Sequence, residues 1–328
     1  MTTVLRHSLI TCAIAFAVML ALNFILPRLM PGDPLTAIYG DEALIAMTPE
    51  LKADITARFS LEKTTGEQFI AYLGALFRGD LGYSYYYNAP VLSVIAGALP
   101  WTLLIVGTSL VLSTTAGILL GIESGWRRGT KTDRALLAVL MGLNGFPDFF
   151  IGLVLLIIFG VTLGIAPLAG AVTPYAGLSG FALLLDVVKH MALPVAALTL
   201  AHLSSGYLLT RNTMLTVLKE PFMMTARAKG LSPGKQKYRH AGRNALLPVA
   251  TVTGIRLGRL VTGALLVEIV FAYPGVGQLI YQALMSRDYP LIQGVFLLVT
   301  VTVLFANLVI DLLYPKLDPR ISRAYQHA

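Results

Sequence analysis

Six long apolar stretches constrain this chain more than any other feature. They run from about Leu9 to Leu29, Pro100 to Ile122, Ala135 to Leu163, His190 to Leu209, Leu246 to Phe271 and Leu291 to Leu313. Each lies near the roughly 20 residues that a helix needs to cross about 30 Å of hydrocarbon. A lone spanning segment in lipid has to be helical, because only the helix satisfies its backbone polar groups internally. Charge supports the reading: 13% of the 328 residues are charged and 56% are hydrophobic, whereas soluble domains carry about 25% charged residues. The expected fold is all-α and polytopic, a single transmembrane domain over 1–328 with six transmembrane helices. The first stretch is too long for a signal-peptide core and ends in ILPRLMPGDP, without a small-residue cleavage site, so it reads as an uncleaved anchor. In the third, Asn144, Gly145 and Pro147 fall near the middle. Two helical segments joined by a break are the alternative there, which would raise the count to seven.

Basic residues set the orientation. Arg127, Arg128, Lys131 and Arg134 lie between the second and third stretches, and Lys316, Arg320 and Arg323 lie in the tail. A third group occupies 213–245: Lys219, Arg227, Lys229, Lys235, Lys237, Arg239 and Arg243. With six crossings these segments fall on one side together with Arg6, while the opposite loops, about 164–189 and 272–290, hold only Lys189 and Arg287. The positive-inside rule then places both termini in the cytoplasm. The net charge of +8 is thereby assigned to topology, and no nucleic-acid partner is expected. The segment 30–99 becomes a long extracytoplasmic loop with eight acids against four bases. Its cluster Tyr83, Tyr85, Tyr86 and Tyr87 has two readings, an interfacial aromatic belt or a surface for substrate or partner.

Several chemistries lack their residues. One cysteine, Cys12, permits neither a disulfide framework nor a cysteine metal site within the chain. The histidines, His7, His190, His202, His240 and His327, show no close paired spacing, so no metal site is expected. There is no Ser-His-Asp arrangement and no catalytic carboxylate pair to argue for. A glycine-rich phosphate loop ending in Lys-Ser/Thr is also missing, and the run from Gly254 to Gly263 lies in apolar sequence. The chain is expected to be non-catalytic and to bind no cofactor itself.

Ionisable residues inside apolar stretches mark the interior of a membrane protein, because each costs roughly 2.5 to 3.5 kcal/mol at a helix centre. Arg256 and Arg259 lie three apart in the fifth stretch, on one helix face. That face is predicted to meet a passage or a partner helix, and the competing reading is a buried ion pair with Asp148 or Glu268. Asp148 follows Pro147, where an irregular turn would serve either gating or packing. Glu268 opens EIVFAYPGVG, a turn-rich segment ending the fifth stretch. Asp148, Arg256 and Arg259 are therefore the passage or gate candidates.

Between the fourth and fifth stretches, 213–245 is longer than a helix connection requires. Thr225 to Lys229 is good helix-forming sequence, and Gly230 stands where a helix stops, with Pro233 three residues on. A short helix on the cytoplasmic face is expected. Lipid headgroups are the alternative account of its charge.

Phrases in this order identify the chain with a known group. ARAKGLS, RHAGRNALLPV, GALLVEIVFAYPGVGQL, RDYPLIQG and NLVIDLLYPKLDPRI, preceded by GDPL, RGDLGYS, FPDFFIGL and HMALPVAALTL, resemble the dipeptide/oligopeptide-type permease subunits of bacterial ATP-binding-cassette importers. The resemblance implies a type I importer permease fold in the bacterial inner membrane, with 213–245 as an EAA-like cytoplasmic coupling loop. Its short helix would seat in a groove of the ATPase subunit through Glu220, Pro221, Phe222, Met223, Met224, Thr225, Ala226, Arg227, Ala228, Lys229 and Gly230. Aligned on Gly230, the sequence has Met224, Thr225 and Ala226 where the family pattern reads Glu-Ala-Ala, so the acidic residue is missing and Glu220 is the nearest substitute. The implied partners are a second, paralogous permease, two ATPase subunits that hold ATP and magnesium, and an extracytoplasmic binding protein that docks in part on 30–99. The resemblance also implies that Glu268 to Gly277 forms part of an outer gate, which adds Glu268 to the passage or gate candidates, and the implied cargo is a di- or oligopeptide. Nickel or another small solute is the alternative within the family, and a self-sufficient secondary transporter or an intramembrane enzyme is the alternative outside it.

Overall fold

The computed structural model describes residues 2–29, 40, 47–51, 56, 64–246, 249, 252 and 264–317. Its elements are helices α1 (Thr2–Arg28) and α2 (Thr65–Phe77), a two-residue hairpin of β1 (Tyr83–Ser84) and β2 (Ala89–Pro90), and helices α3 (Val91–Trp126), α4 (Lys131–Leu143) and α5 (Asp148–Leu155). A π-helical run, Leu156–Thr162, continues α5. There follow α6 (Gly180–Val217), α7 (Pro221–Ala228), a second π-helical run Lys235–Gly242, α8 (Leu265–Val270), α9 (Val276–Met285) and α10 (Tyr289–Leu317). Among the described residues three helices, α1, α3 and α6, are long and apolar enough to cross a membrane, and α4 with the α5 segment makes a fourth if that bent pair is one span. The break in the pair bends it by 100°. Asn144 caps the end of α4 and Pro147 precedes α5, so the residues that threatened the third apolar stretch do interrupt it.

Helix boundaries extend beyond the apolar stretches. Helix α3 begins at Val91 and runs through Pro100, and α6 begins at Gly180 and runs through Pro194. Proline is tolerated inside membrane helices because neighbouring groups satisfy the carbonyl it frees. Part of 30–99 is also regular. Thr64 and Glu67 form a reciprocal capping box at the start of α2: the Glu67 N–H donates to Thr64 Oγ1, and the Thr64 N–H donates to Glu67 Oε2 at 2.9 Å. Most of the fifth apolar stretch, with Arg256 and Arg259, lies outside the described residues, and α8 covers its end.

The chain divides into two compact units. The first comprises the residues up to Trp101 with Pro274–Leu312. Phe24 of α1 is buried there between Phe69, edge-on with centroids 5.0 Å apart, and Tyr72, while Asn23 Nδ2 donates to the Gln293 carbonyl of α10 at 2.8 Å. The second unit contains Thr102–Tyr273. Within it α3 comes close against α6 where Gly117, Gly121 and Gly125 recur every fourth residue on one face of α3. A Cβ on Gly121 would lie 2.6 Å from Thr210 Cβ, and one on Gly125 would lie 2.6 Å from Met214 Cβ. A Cβ on Gly117 would lie 3.0 Å from the Tyr207 backbone nitrogen and 3.1 Å from the Gly206 carbonyl carbon. Small residues at this spacing let helix backbones come together where lipid offers no hydrophobic drive for association.

Candidate functional site

The second unit gathers most of its polar chemistry at one end, where α3, α4, α6 and α7 meet. The α3–α4 turn is built first. Thr130 caps α4, accepting from the Asp133 N–H, and Asp133 in turn accepts from the Gly129 N–H at 2.9 Å. From α6, Arg211 reaches the same carboxylate with two donors, Nε at 2.7 Å and a second nitrogen at 3.0 Å. Ser124 Oγ donates to Asp133 Oδ1 at 2.5 Å and lies 2.6 Å from the Tyr207 hydroxyl. Asp133, Ser124 and Tyr207 are fully buried. A two-pronged guanidinium contact of this kind adds direction as well as attraction.

Helix α7 follows three residues after α6. Proline at its first position, Pro221, suits a helix start because the N–H there has no intrahelical partner in any case. The helix closes on a Schellman pattern, with the Gly230 N–H donating to the Arg227 carbonyl at 2.9 Å and the Leu231 N–H to the Ala226 carbonyl at 3.4 Å. Gly230 has φ 66°, the left-handed geometry this stop demands. One face of α7 is buried: Met223 joins Ile122, Met214, Val217, Ala241 and Ala245 in an apolar cluster, and Ala226 lies beside it. The other face is open, with Phe222 39% and Met224 69% exposed and Thr225, Arg227 and Lys229 around them. Glu220 precedes the helix, exposed, and makes no side-chain cap.

Beyond Gly230 the chain turns back as the π-helical run Lys235–Gly242 and packs on α7. Its Lys237 ammonium pairs with Glu123 Oε2 near the end of α3, and the other oxygen of that carboxylate takes Arg127 Nε at 2.6 Å. Burial is the largest single influence on the Lys237 charge and disfavours it, but hydrogen bonding to Glu123 and Tyr238 and their attraction together outweigh burial and hold the ammonium pKa above the ordinary lysine value.

The sequence-predicted passage residues are placed differently. Asp148 is the first residue of α5, half-exposed, and its Oδ1 accepts from the Phe149 N–H at 2.8 Å. An acid at that position also complements the positive end of the helix. Glu268 is fully buried in α8 and accepts from Thr102 Oγ1 at 2.7 Å. Helix α8 packs on α5, and Phe271 reaches the Cα face of Gly152. Within the first unit a cavity of about 520 Å³ lies between the start of α3 and α9, lined by Tyr87, Trp101, Pro274, Gly275, Gln278 and Gln282. Among the described residues no three His, Cys, Asp or Glu side chains gather as a metal site.

A second polar corner belongs to the first unit. Asp288 caps α10, accepting from the Leu291 N–H at 3.1 Å through Oδ1, and through Oδ2 accepts from Ser84 Oγ at 2.5 Å and the Tyr86 N–H at 3.0 Å. The tyrosine cluster is therefore a hairpin pinned to the start of α10, with Tyr83, Tyr86 and Tyr87 partly exposed. Burial pushes the Asp288 carboxyl above the usual carboxylate range despite these donors.

Asp133, Arg211, Glu123, Lys237, Asp288 and the three glycines of α3 were not singled out as site residues by the sequence. The glycine stripe was visible as GILLGIESG, and the acids were visible as rare charges at the edges of apolar stretches. Their partners lie 78, 114 and 204 residues away, so no local pattern announces the pairs.

Long apolar helices joined at one end by a buried ionic corner, with a short, half-exposed helix set into it, define a multi-pass membrane component. The chain belongs to the family of binding-protein-dependent transport system inner membrane components, whose model matches residues 113–323. It is similar to the di/tripeptide transport system permease protein DppB of Pseudomonas aeruginosa, 36% identical over 314 residues that cover 92% of this chain and 93% of that protein. The dipeptide transport system permease protein DppB of Escherichia coli is 34% identical over 319 residues, with 92% and 93% covered.

Proposed function

We propose that this chain is one permease half of an ATP-driven peptide importer, and that α7 is the contact through which ATPase subunits act on it. The observation that carries the proposal is the two-faced character of α7. Met223 and Ala226 fasten it to α3 and α6, while Phe222 and Met224 stand exposed beside Arg227 and Lys229. A surface helix with its own buried anchor and open apolar side chains suits a protein groove better than solvent. The family supports the assignment, and the dipeptide permeases among the relatives support a peptide cargo.

In this reading the chain has six crossings with both termini in the cytoplasm, and α7 lies on the cytoplasmic face. A second permease of similar fold completes the passage, two ATPase subunits hold ATP and magnesium, and an extracytoplasmic protein delivers peptide to a surface that includes part of 30–99. Closure of the ATPase pair displaces α7 on each permease, and rigid movement of the attached helices opens the passage to one side or the other. Glu220 or the exposed edge of α7 meets the ATPase without the acid that the family pattern places at 224. Arg256, Arg259, Glu268 and Asp148 remain the candidate passage groups.

The test is reconstitution with the two ATPases, the second permease and the binding protein in liposomes, followed by uptake of a labelled dipeptide. ATP-dependent, vanadate-sensitive uptake is expected, and Met224→Asp is expected to abolish copurification of the ATPases while the two permeases still associate. Gradient-driven uptake by this chain alone would rule the proposal out.

A further inference from the structure

Helix α7 is joined to α6 by three residues of chain, Leu218 to Glu220, so a push on α7 reaches α6 covalently. Its route to α3 is different. Apolar contact through Ile122 and Met223 is part of that route, but dispersion contact has no preferred direction and resists sliding poorly. The directional link is Lys237 to Glu123. Among the described residues it is the one ion pair that joins α3 to the segment following α7.

Lys237 is well placed to follow α7. The Schellman stop at Gly230 fixes the exit angle, Gln236 Nε2 donates to the Leu231 carbonyl at 2.6 Å, and the π-helical run packs on α7 itself. The lysine side chain is 12% exposed and that of Glu123 is 26% exposed, so the pair is partly withdrawn from water. Glu123 divides its two oxygens between Lys237 and Arg127. Removing the lysine therefore leaves the carboxylate a cation, and the fold is not burdened with an orphan charge.

We propose that the Glu123–Lys237 pair is the tie that makes α3 follow the displacement of α7, so that both are positioning residues for the coupling of ATP hydrolysis to transport. The inference rests on the reading of α7 as the ATPase contact. It predicts that the pair governs how much cargo moves per ATP, and that it has little bearing on assembly or on hydrolysis itself.

The experiment uses the full complex in liposomes, with dipeptide uptake and ATP hydrolysis measured on the same preparation. Lys237→Gln and Glu123→Gln are each expected to lower peptide moved per ATP about three- to fivefold, the range that loss of a partly exposed ion pair can produce, with ATPase rate and complex yield retained. Lys237→Arg should keep the wild-type ratio. The reversed pair, Glu123→Lys with Lys237→Glu, should recover most of it. An unchanged ratio in both single variants overturns the tie, and so does a reversed pair as impaired as the singles, because each side chain would then act alone. Absence of ATP-driven uptake in the unmodified complex would overturn the importer reading and this inference with it.

Discussion

Two aspartates, one in each unit, do the same structural task by different electrostatic means. Asp288 pins the tyrosine hairpin to the start of α10 with neutral donors, the Ser84 hydroxyl and backbone N–H groups that include those of Tyr86 and Leu291. Asp133 pins the α3–α4 turn to α6 with a guanidinium, a hydroxyl and an N–H. Both carboxylates are fully buried. A buried charge compensated by dipoles alone retains part of its desolvation cost, whereas one matched by a cation regains more of it and makes its partner equally dependent. The first arrangement can lose its charge and survive. The second cannot lose either member cheaply.

Breaking the second corner should have the largest effect. Asp133→Ala leaves Arg211, largely but not wholly withdrawn from water, without its counter-charge and is expected to destabilise the unit by about 3 kcal/mol, the lower end for a buried pair. Thermal unfolding of the purified protein in detergent measures this, and a shift no larger than that of Asp288→Ala would contradict the comparison. Asp288→Ala itself removes a helix cap and strands two donors, at an expected cost of about 2 to 3 kcal/mol. Ser84→Ala should cost about 1 kcal/mol.

Acidity sharpens the contrast. The Asp288 carboxyl is raised above its unfolded value, so the stability it contributes is fully present below the ordinary carboxylate pKa of about 3.9 and is lost as pH rises through the folded value. Stability of the wild type relative to Asp288→Asn should therefore fall from pH 4 toward neutrality. A rise over that interval would show that the donors outweigh burial.

The smallest expected change concerns the residue before Asp288. Arg287 ends α9 with φ 51° in the same Schellman pattern that Gly230 gives α7, its N–H donating to the Leu284 carbonyl at 3.4 Å. Arg287→Gly should stabilise the first unit by about 0.5 to 1 kcal/mol, since only the arginine carries a Cβ penalty there. Unfolding in denaturant resolves a gain of that size.

These corners also mark the limit of what the sequence discloses. Gly230 announced the end of α7 because a left-handed stop needs glycine, and Asn144 to Pro147 announced the break between α4 and α5. The phrases RGDLGYS and RDYP were recognisable but unexplained until Ser84 and Asp288 were seen in contact. Apolar runs located the membrane helices while missing their ends, because α3 and α6 continue through and beyond what hydropathy alone marks. The α2 capping box was legible in Thr64 and Glu67 and went unused within a segment treated as a loop. The pairing of Asp133 with Arg211 was not legible, since a single sequence holds nothing that relates two charges on separate helices.

The π-helical run at Lys235–Gly242 gives the chain a property of heredity as well as of shape. Such a run bonds each residue to the fifth along, so it accommodates about one residue more than the α-helix it replaces. Deleting one residue there would let the segment rewind to an α-helix, with the surplus residue taken out of the wide turns and the chain beyond keeping nearly its original orientation. The side chains of the run itself would shift by one position, so a deletion ahead of Lys237 would move it from the place where it meets Glu123. In this stretch a one-residue deletion is expected to be absorbed locally, with the loss falling on the contacts of the run's own side chains.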